Sequence, residues 1–188
     1  MADEPTQEWG NAPERPQTAR VFFALWPDAE VRRRLWREGQ KLQRQLGGKL
    51  TREESVHMTL LFVGAVPTQH LERLTACASI PFTPFGLAVD TASCWTHNKI
   101  AWVAPSVIPM ALSQLVAALT LAVRAAGFEL ERRPFAPHIT VVRKARCTPL
   151  DPAVPKIEWC VTEYVLVRSE LNREGSVYSV IGRWQGSG

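Results

Sequence analysis

The chain has 188 residues, 46% of them hydrophobic and 21% charged, a balance that belongs to ordinary globular proteins and excludes disordered or fibrous ones. Lysine and arginine outnumber aspartate and glutamate by 22 to 18, for a net charge of +4 and a pI near 9.1; this permits a phosphate-bearing partner without identifying one. No stretch approaches the ~18 consecutive apolar residues of a membrane span, and the amino terminus is polar and proline-containing, unlike a secretion signal, so a cytoplasmic protein with no membrane partner is expected.

Residues 1–19 mix charges and prolines without an apolar period and read as a mobile leader. Order is expected from Arg20, where the run to Leu25 is β-branched and aromatic, as a buried strand is. Asp28 then caps a helix whose apolar positions Val31, Leu35, Leu42 and Leu46 keep to one side, and Gly47-Gly48 ends it. The segment Ser55 to Gly64 is a strand, and Pro67 starts a short helix carrying Leu71 and Leu74. Residues 82–104 hold two or three strands with a turn near Thr96 to Lys99; Pro109 to Ala126 is a helix stopped by Gly127. A further strand runs through Pro137 to Arg143. Two more, Tyr164 to Ser169 and Ser176 to Ile181, flank Asn172-Arg173-Glu174-Gly175 as a hairpin. Residues 185–188 read as a loose tail. A single folded domain over 20–184 is therefore expected, working as a monomer.

Cys77, Cys94, Cys147 and Cys160 are spaced by 17, 53 and 13 residues, with no Cys-x-x-Cys knuckle and no metal-finger spacing. Reduced, mostly buried thiols are the expectation. The histidine and carboxylate spacings offer no metal triad, so neither metal nor cofactor is expected.

The chain repeats itself. Adding 81 carries His57 to His138 and Thr59 to Thr140, superposes Arg20 to Phe23 on Ala101 to Ala104, and moves the helix start and stop together. Strand, helix and His-x-Thr strand thus occur twice, which implies two similar lobes about a pseudo-twofold axis. In a strand, side chains two apart share a face, so His57 joins Thr59 and His138 joins Thr140. Two imidazoles of pKa near ~6.5 can hold opposite protonation states at neutral pH, one accepting and one donating a proton. The hydroxyls can donate to phosphate oxygens as negative charge gathers there. This is a kit for metal-free phosphoryl chemistry. His70 and His97 lack the following threonine and read as bystanders. Arg132 and Arg133, with Arg143, Lys144 and Arg146, bracket the second motif as a candidate RNA backbone track.

The copies His57-Met58-Thr59-Leu60 and His138-Ile139-Thr140-Val141 resemble the paired His-x-Thr signatures of the two-histidine (2H) phosphoesterases, and within them the RNA 2′,3′-cyclic phosphodiesterases, also called 2′-5′ RNA ligases. The block from Arg20 to Pro27, the blocks around both motifs and the terminal hairpin from Ser169 to Trp184 carry the likeness, over about residues 20–184. The resemblance implies an α+β, bilobal fold: two pseudo-symmetric antiparallel sheets, helices outside, a central cleft. It implies hydrolysis of an RNA 2′,3′-cyclic phosphate end, or a cyclic nucleotide, to a 2′-phosphomonoester, with reversible 2′-5′ ligation in some members. It also implies His57 as acid, His138 as base, Arg143 on phosphate and Phe62 as an aromatic near the base. Both of these last residues lie five positions after their histidine, so strict alternation turns them away from the cleft, and a bulge or the strand end after the threonine would return them. Two alternatives stand beside this one: a sibling 2H enzyme for another nucleotide substrate, and a nucleotide- or RNA-binding module that does not cleave.

Overall fold

The computed structural model describes residues 17–172 and 175–187. Its elements follow the hydrophobic periods of the chain. Strand β1 (Thr18–Leu25) leads to helix α1 (Ala29–Leu46), where the Asp28 carboxylate accepts the backbone N–H groups of Glu30 and Val31. Val31, Leu35, Leu42 and Leu46 are its buried stripe, and full burial of side chains such as Leu35 and Leu46 stabilises the fold by about 1.5–3 kcal/mol each. The short β2 (Lys49–Leu50) precedes β3 (Met58–Pro67) and α2 (Leu71–Cys77). Then come β4 (Phe85–Trp95), β5 (Ile100–Ala104), α3 (Met110–Ala125), β6 (Ile139–Arg143), β7 (Ala153–Val161), β8 (Glu163–Asn172) and β9 (Gly175–Gln185).

The class is α+β with a large antiparallel sheet. The two sheets expected from the repeat are halves of one nine-stranded sheet in the order β7-β4-β5-β6-β3-β1-β8-β9, with β2 added to β6. The halves meet where β6 pairs β3 at Met58 and Ile139, residues that the shift of 81 superposes, so the pseudo-twofold axis passes through this pair. Helix α1, which links two strands of one half, packs on β5, β6 and β7 of the other, while α3 packs on β3. One hydrophobic cluster accordingly runs through both halves, from Val21 and Phe23 to Val103 and Ile139. Gly39 allows the close approach of α1, since a Cβ there would lie 2.9 Å from the Cβ of Val141.

Four expectations change. The first strand repeats in a different register: Ala24 stands opposite Thr59 as Trp102 stands opposite Thr140, so Phe22 corresponds to Ile100 and not to Val103. Order begins within the expected leader, because Thr18 and Ala19 pair Pro67 and Val66; residues 1–16 lie outside those described. Within the expected loose tail, residues 185–187 are held in place, and Gly188 lies outside those described. Gln185 pairs Glu163 in β9, and the N–H groups of Gly186 and Ser187 donate to Thr162 and Phe82 carbonyls. Finally, Cys94 and Cys147 form a disulfide with Cα atoms 5.5 Å apart, leaving Cys77 and Cys160 as thiols. The reason is topological: β4, β5 and β6 are adjacent, and after Arg143 the chain folds back so that the N–H of Ala145 donates to the Lys99 carbonyl. Strand β7, unread in the sequence, is a sheet edge, where Pro155 is tolerated.

Candidate active site

Both motif strands carry the same irregularity. In β3, Thr59 pairs Ala24 and Leu61 pairs Phe23, leaving Leu60 as an extra residue; in β6, Thr140 pairs Trp102 and Val142 pairs Ala101, leaving Val141 extra. Each bulge advances the alternation by one. Phe62 therefore stands opposite Phe22 and Arg143 opposite Ile100, and both share their threonine's face. The conditional bulge of the sequence reading is present twice.

The result is a cleft of about 650 Å³ whose lining includes His57, Thr59, Phe62, His138, Thr140 and Arg143, all six residues named from the sequence. His70 and His97 are not in this lining. Arg20, Lys49, Arg52 and Arg133 join Arg143 around it, and among the described residues no carboxylate lines it. Its floor on the β1 side is a small apolar cluster of Phe22, Ala24, Val165 and Val167. The Arg20 guanidinium lies 4.8 Å from the centre of the Phe62 ring.

The two imidazoles are held alike. The Nδ1–H of His57 donates to the Ser55 carbonyl at 2.7 Å, and the Nδ1–H of His138 donates to the Ala136 carbonyl at 2.8 Å. A carbonyl only accepts, so both Nδ1 atoms carry hydrogen and Nε2 is the titrating nitrogen on each ring. The surroundings differ. His57 sits between rings: Trp26 lies parallel to it at 5.2 Å, Phe22 stacks at 5.0 Å and Tyr178 meets it edge-on at 5.3 Å. His138 meets Trp95 edge-on at 4.5 Å.

Burial lowers the pKa of His57 from 6.5 to about 4, against the hydrogen bond to Ser55; the charges of Arg143 and His138 push the same way as burial. Burial first, and then Arg143, also lower His138. In the free protein at neutral pH both rings are therefore largely neutral. The sequence reading missed Trp26, Tyr178, Lys49 and Arg52. Trp26 adjoins the first strand and was visible as the residue before Pro27, but nothing local says that its ring covers a histidine 31 positions on.

The chain matches the family model of the 2′-5′ RNA ligase superfamily over residues 31–173. It is 31% identical over 170 residues to the RNA 2′,3′-cyclic phosphodiesterase of Escherichia coli, covering 88% of this chain and 95% of that one. With the protein of the same name from Thermus thermophilus it shares 29% identity over 182 residues, covering 88% and 89%. The crystal structure of E. coli LigT complexed with 3′-AMP superposes with a TM-score of 0.84 at 28% identity, covering 92% of this chain and 100% of that one.

Proposed function

The chain belongs to the 2′-5′ RNA ligase superfamily, and from its paired His-x-Thr cleft we infer that it is an RNA 2′,3′-cyclic phosphodiesterase, a hydrolase acting on a phosphoric diester bond. The observation that carries this reading is the duplicated geometry: two imidazoles fixed through Nδ1, each with a threonine on its strand face, in one cationic cleft.

The cyclic phosphate of an RNA end, or of a cyclic nucleotide, lies between the rings. Thr59 and Thr140 donate to its non-bridging oxygens and Arg143 offsets its charge. His138 takes a proton from water as the water oxygen attacks phosphorus in line. The bond from phosphorus to O3′ breaks, and the imidazolium of His57 gives its proton to that oxygen. The products are a 3′-hydroxyl and a 2′-phosphomonoester. His57 acquires this proton with the substrate, whose phosphate anion supplies the opposing charge. Phe62 packs against the nucleoside. With an RNA 5′-hydroxyl in place of water, the same steps form a 2′-5′ linkage, and they run in reverse. The enzyme works as a monomer in the cytoplasm, without metal or cofactor.

The test is an oligonucleotide ending in a 2′,3′-cyclic phosphate, incubated in excess chelator. A 2′-phosphate product is expected; a 3′-phosphate, or no turnover, overturns the reading. His57→Ala and His138→Ala should each lower the rate by about 10²- to 10⁴-fold with the fold intact. A diester with an activated aryl leaving group should rescue His57→Ala and not His138→Ala; the opposite pattern exchanges the two roles.

A further inference from the structure

We propose that a second cavity, next to the catalytic cleft at the β5–β6 strand ends, binds a backbone phosphate of the RNA upstream of the reacting end. The proposal rests on the reading of the cleft as an RNA phosphodiesterase site. The cavity, of about 530 Å³, is lined by Thr96, Lys99, Lys144, Ala145, Arg146 and Cys147. Three of the six are cations and none is acidic.

Several features of the backbone converge on this one spot. Lys99 and Lys144 have φ of 57° and 56°, and they are the two non-glycine residues with positive φ among those described. Such a conformation costs an L-residue with a side chain roughly 1 kcal/mol or more, and it persists only where the surroundings enforce it. Here they do. The N–H of Ala145 donates to the Lys99 carbonyl at 2.9 Å, the N–H of Arg146 donates to the Leu46 carbonyl at 2.8 Å, and the Cys94–Cys147 disulfide ties the two segments together. The fold thus uses strained backbone to gather like charges. Among the described residues, none of the three cations takes part in an ion pair, while Arg33, Lys41, Arg133, Lys156, Arg168 and Arg183 all do. A polyvalent anion relieves the mutual repulsion.

Continuity with the cleft selects RNA over a small free anion. Ile100 pairs Arg143 and both line the cleft, as does Asn98; their chain neighbours Lys99 and Lys144 line the second cavity. A strand held at its 3′ end beside Arg143 meets these lysines as its next phosphates round the sheet end. A mononucleotide does not extend that far.

The experiment compares a 2′,3′-cyclic mononucleotide with a ten-residue RNA bearing the same end, using wild type, Lys144→Asn, Lys99→Asn and the double variant. Asparagine accepts positive φ, so the charge is removed without a new backbone strain. For the ten-residue RNA, KM should rise by about 5- to 20-fold in the double variant. The slope of log KM against log salt should fall by about one per lysine removed. For the mononucleotide, kcat and KM should stay within about twofold. Equal losses on both substrates, or no loss on the longer one, overturn this inference and leave the cleft's function standing. Failure of wild type to turn over either substrate overturns both. Binding of inorganic phosphate by wild type at a site lost in the double variant, with KM for the ten-residue RNA unchanged, assigns the cavity to a free anion and also overturns it.

Discussion

Leu60 and Val141 are the same residue of two copies: each is the unpaired member of a bulge directly after a motif threonine, and each returns the residue two further on, Phe62 or Arg143, to the cleft face. The two copies then diverge in chemistry at that shared place. One presents a ring to the cleft and the other a guanidinium, so a symmetric scaffold lines an asymmetric cleft.

Arg143→Ala should lower kcat/KM by about 10- to 100-fold, the loss of one charge-assisted contact. It should also raise the pKa of both histidines, because Arg143 lowers both. An NMR titration of the imidazoles follows this directly. Unmoved histidines would remove Arg143 from the cleft's electrostatics.

Acid should destabilise the free protein through His57. Its pKa falls from 6.5 unfolded to about 4 folded, so between these values the unfolded chain binds more protons and stability declines as pH drops. Because the ring is only part-buried, the total loss is about 1–3 kcal/mol, complete near pH 4. Chemical denaturation of wild type and His57→Asn across pH 4–7 checks it: the variant should show a shallower slope. For the same reason kcat/KM, which reports the free enzyme, should have its bell on the acid side of the kcat bell, where bound phosphate holds a proton on the pair.

Trp26→Leu should partly uncover the His57 ring and carry its pKa back toward 6.5, with Trp26→Phe restoring most of the effect. The rate should fall by about tenfold in kcat with little change in KM, since the stacked ring orients the imidazole and does not line the cleft. A change confined to KM would make Trp26 a substrate contact instead.

Gly48→Ala should cost about 2–4 kcal/mol and weaken substrate binding. Its φ is +87°, and a Cβ would lie 2.5 Å from the Arg143 carbonyl oxygen, so the β2–β6 pairing that sets Arg143 must shift. Gly127→Ala is the control. With φ +84° and nothing within 4 Å of its Cβ, it should pay only the conformational cost of about 1 kcal/mol and leave kinetics unchanged.

Reduction of the Cys94–Cys147 bond, or Cys94→Ser with Cys147→Ser, should lower stability by about 2–4 kcal/mol. Thermal unfolding with and without reductant measures it. Mononucleotide turnover should persist, because Arg143 is held by β6 pairing with β5 and His138, one residue before β6, by its bond to the Ala136 carbonyl, and neither by the disulfide.

How much was legible depended on the range over which each feature is encoded. The helix α1, its Asp28 cap and its glycine stop lie within about twenty residues of one another, where period and capping chemistry speak for themselves. The His-x-Thr pairs were equally plain, since the alternation of a strand puts both groups on one face. The edge strand β7 was hidden by Pro155, and the core shared by both halves was hidden because repeats imply separate packing until the helices are seen to cross to the opposite half.

By itself the sequence determined which groups are offered for chemistry: two imidazoles, two hydroxyls and a repeat that pairs them, all set by spacing of two or by a shift of 81. The tertiary structure alone decided which residues tune that chemistry. Trp26 and Tyr178 reach His57 from positions 31 before and 121 after it, Arg143 turns inward only through a bulge, and Cys94 finds Cys147 across three strands. Such relations arise from strand register and helix packing, which are settled by burial of the whole core and leave no local mark on the chain.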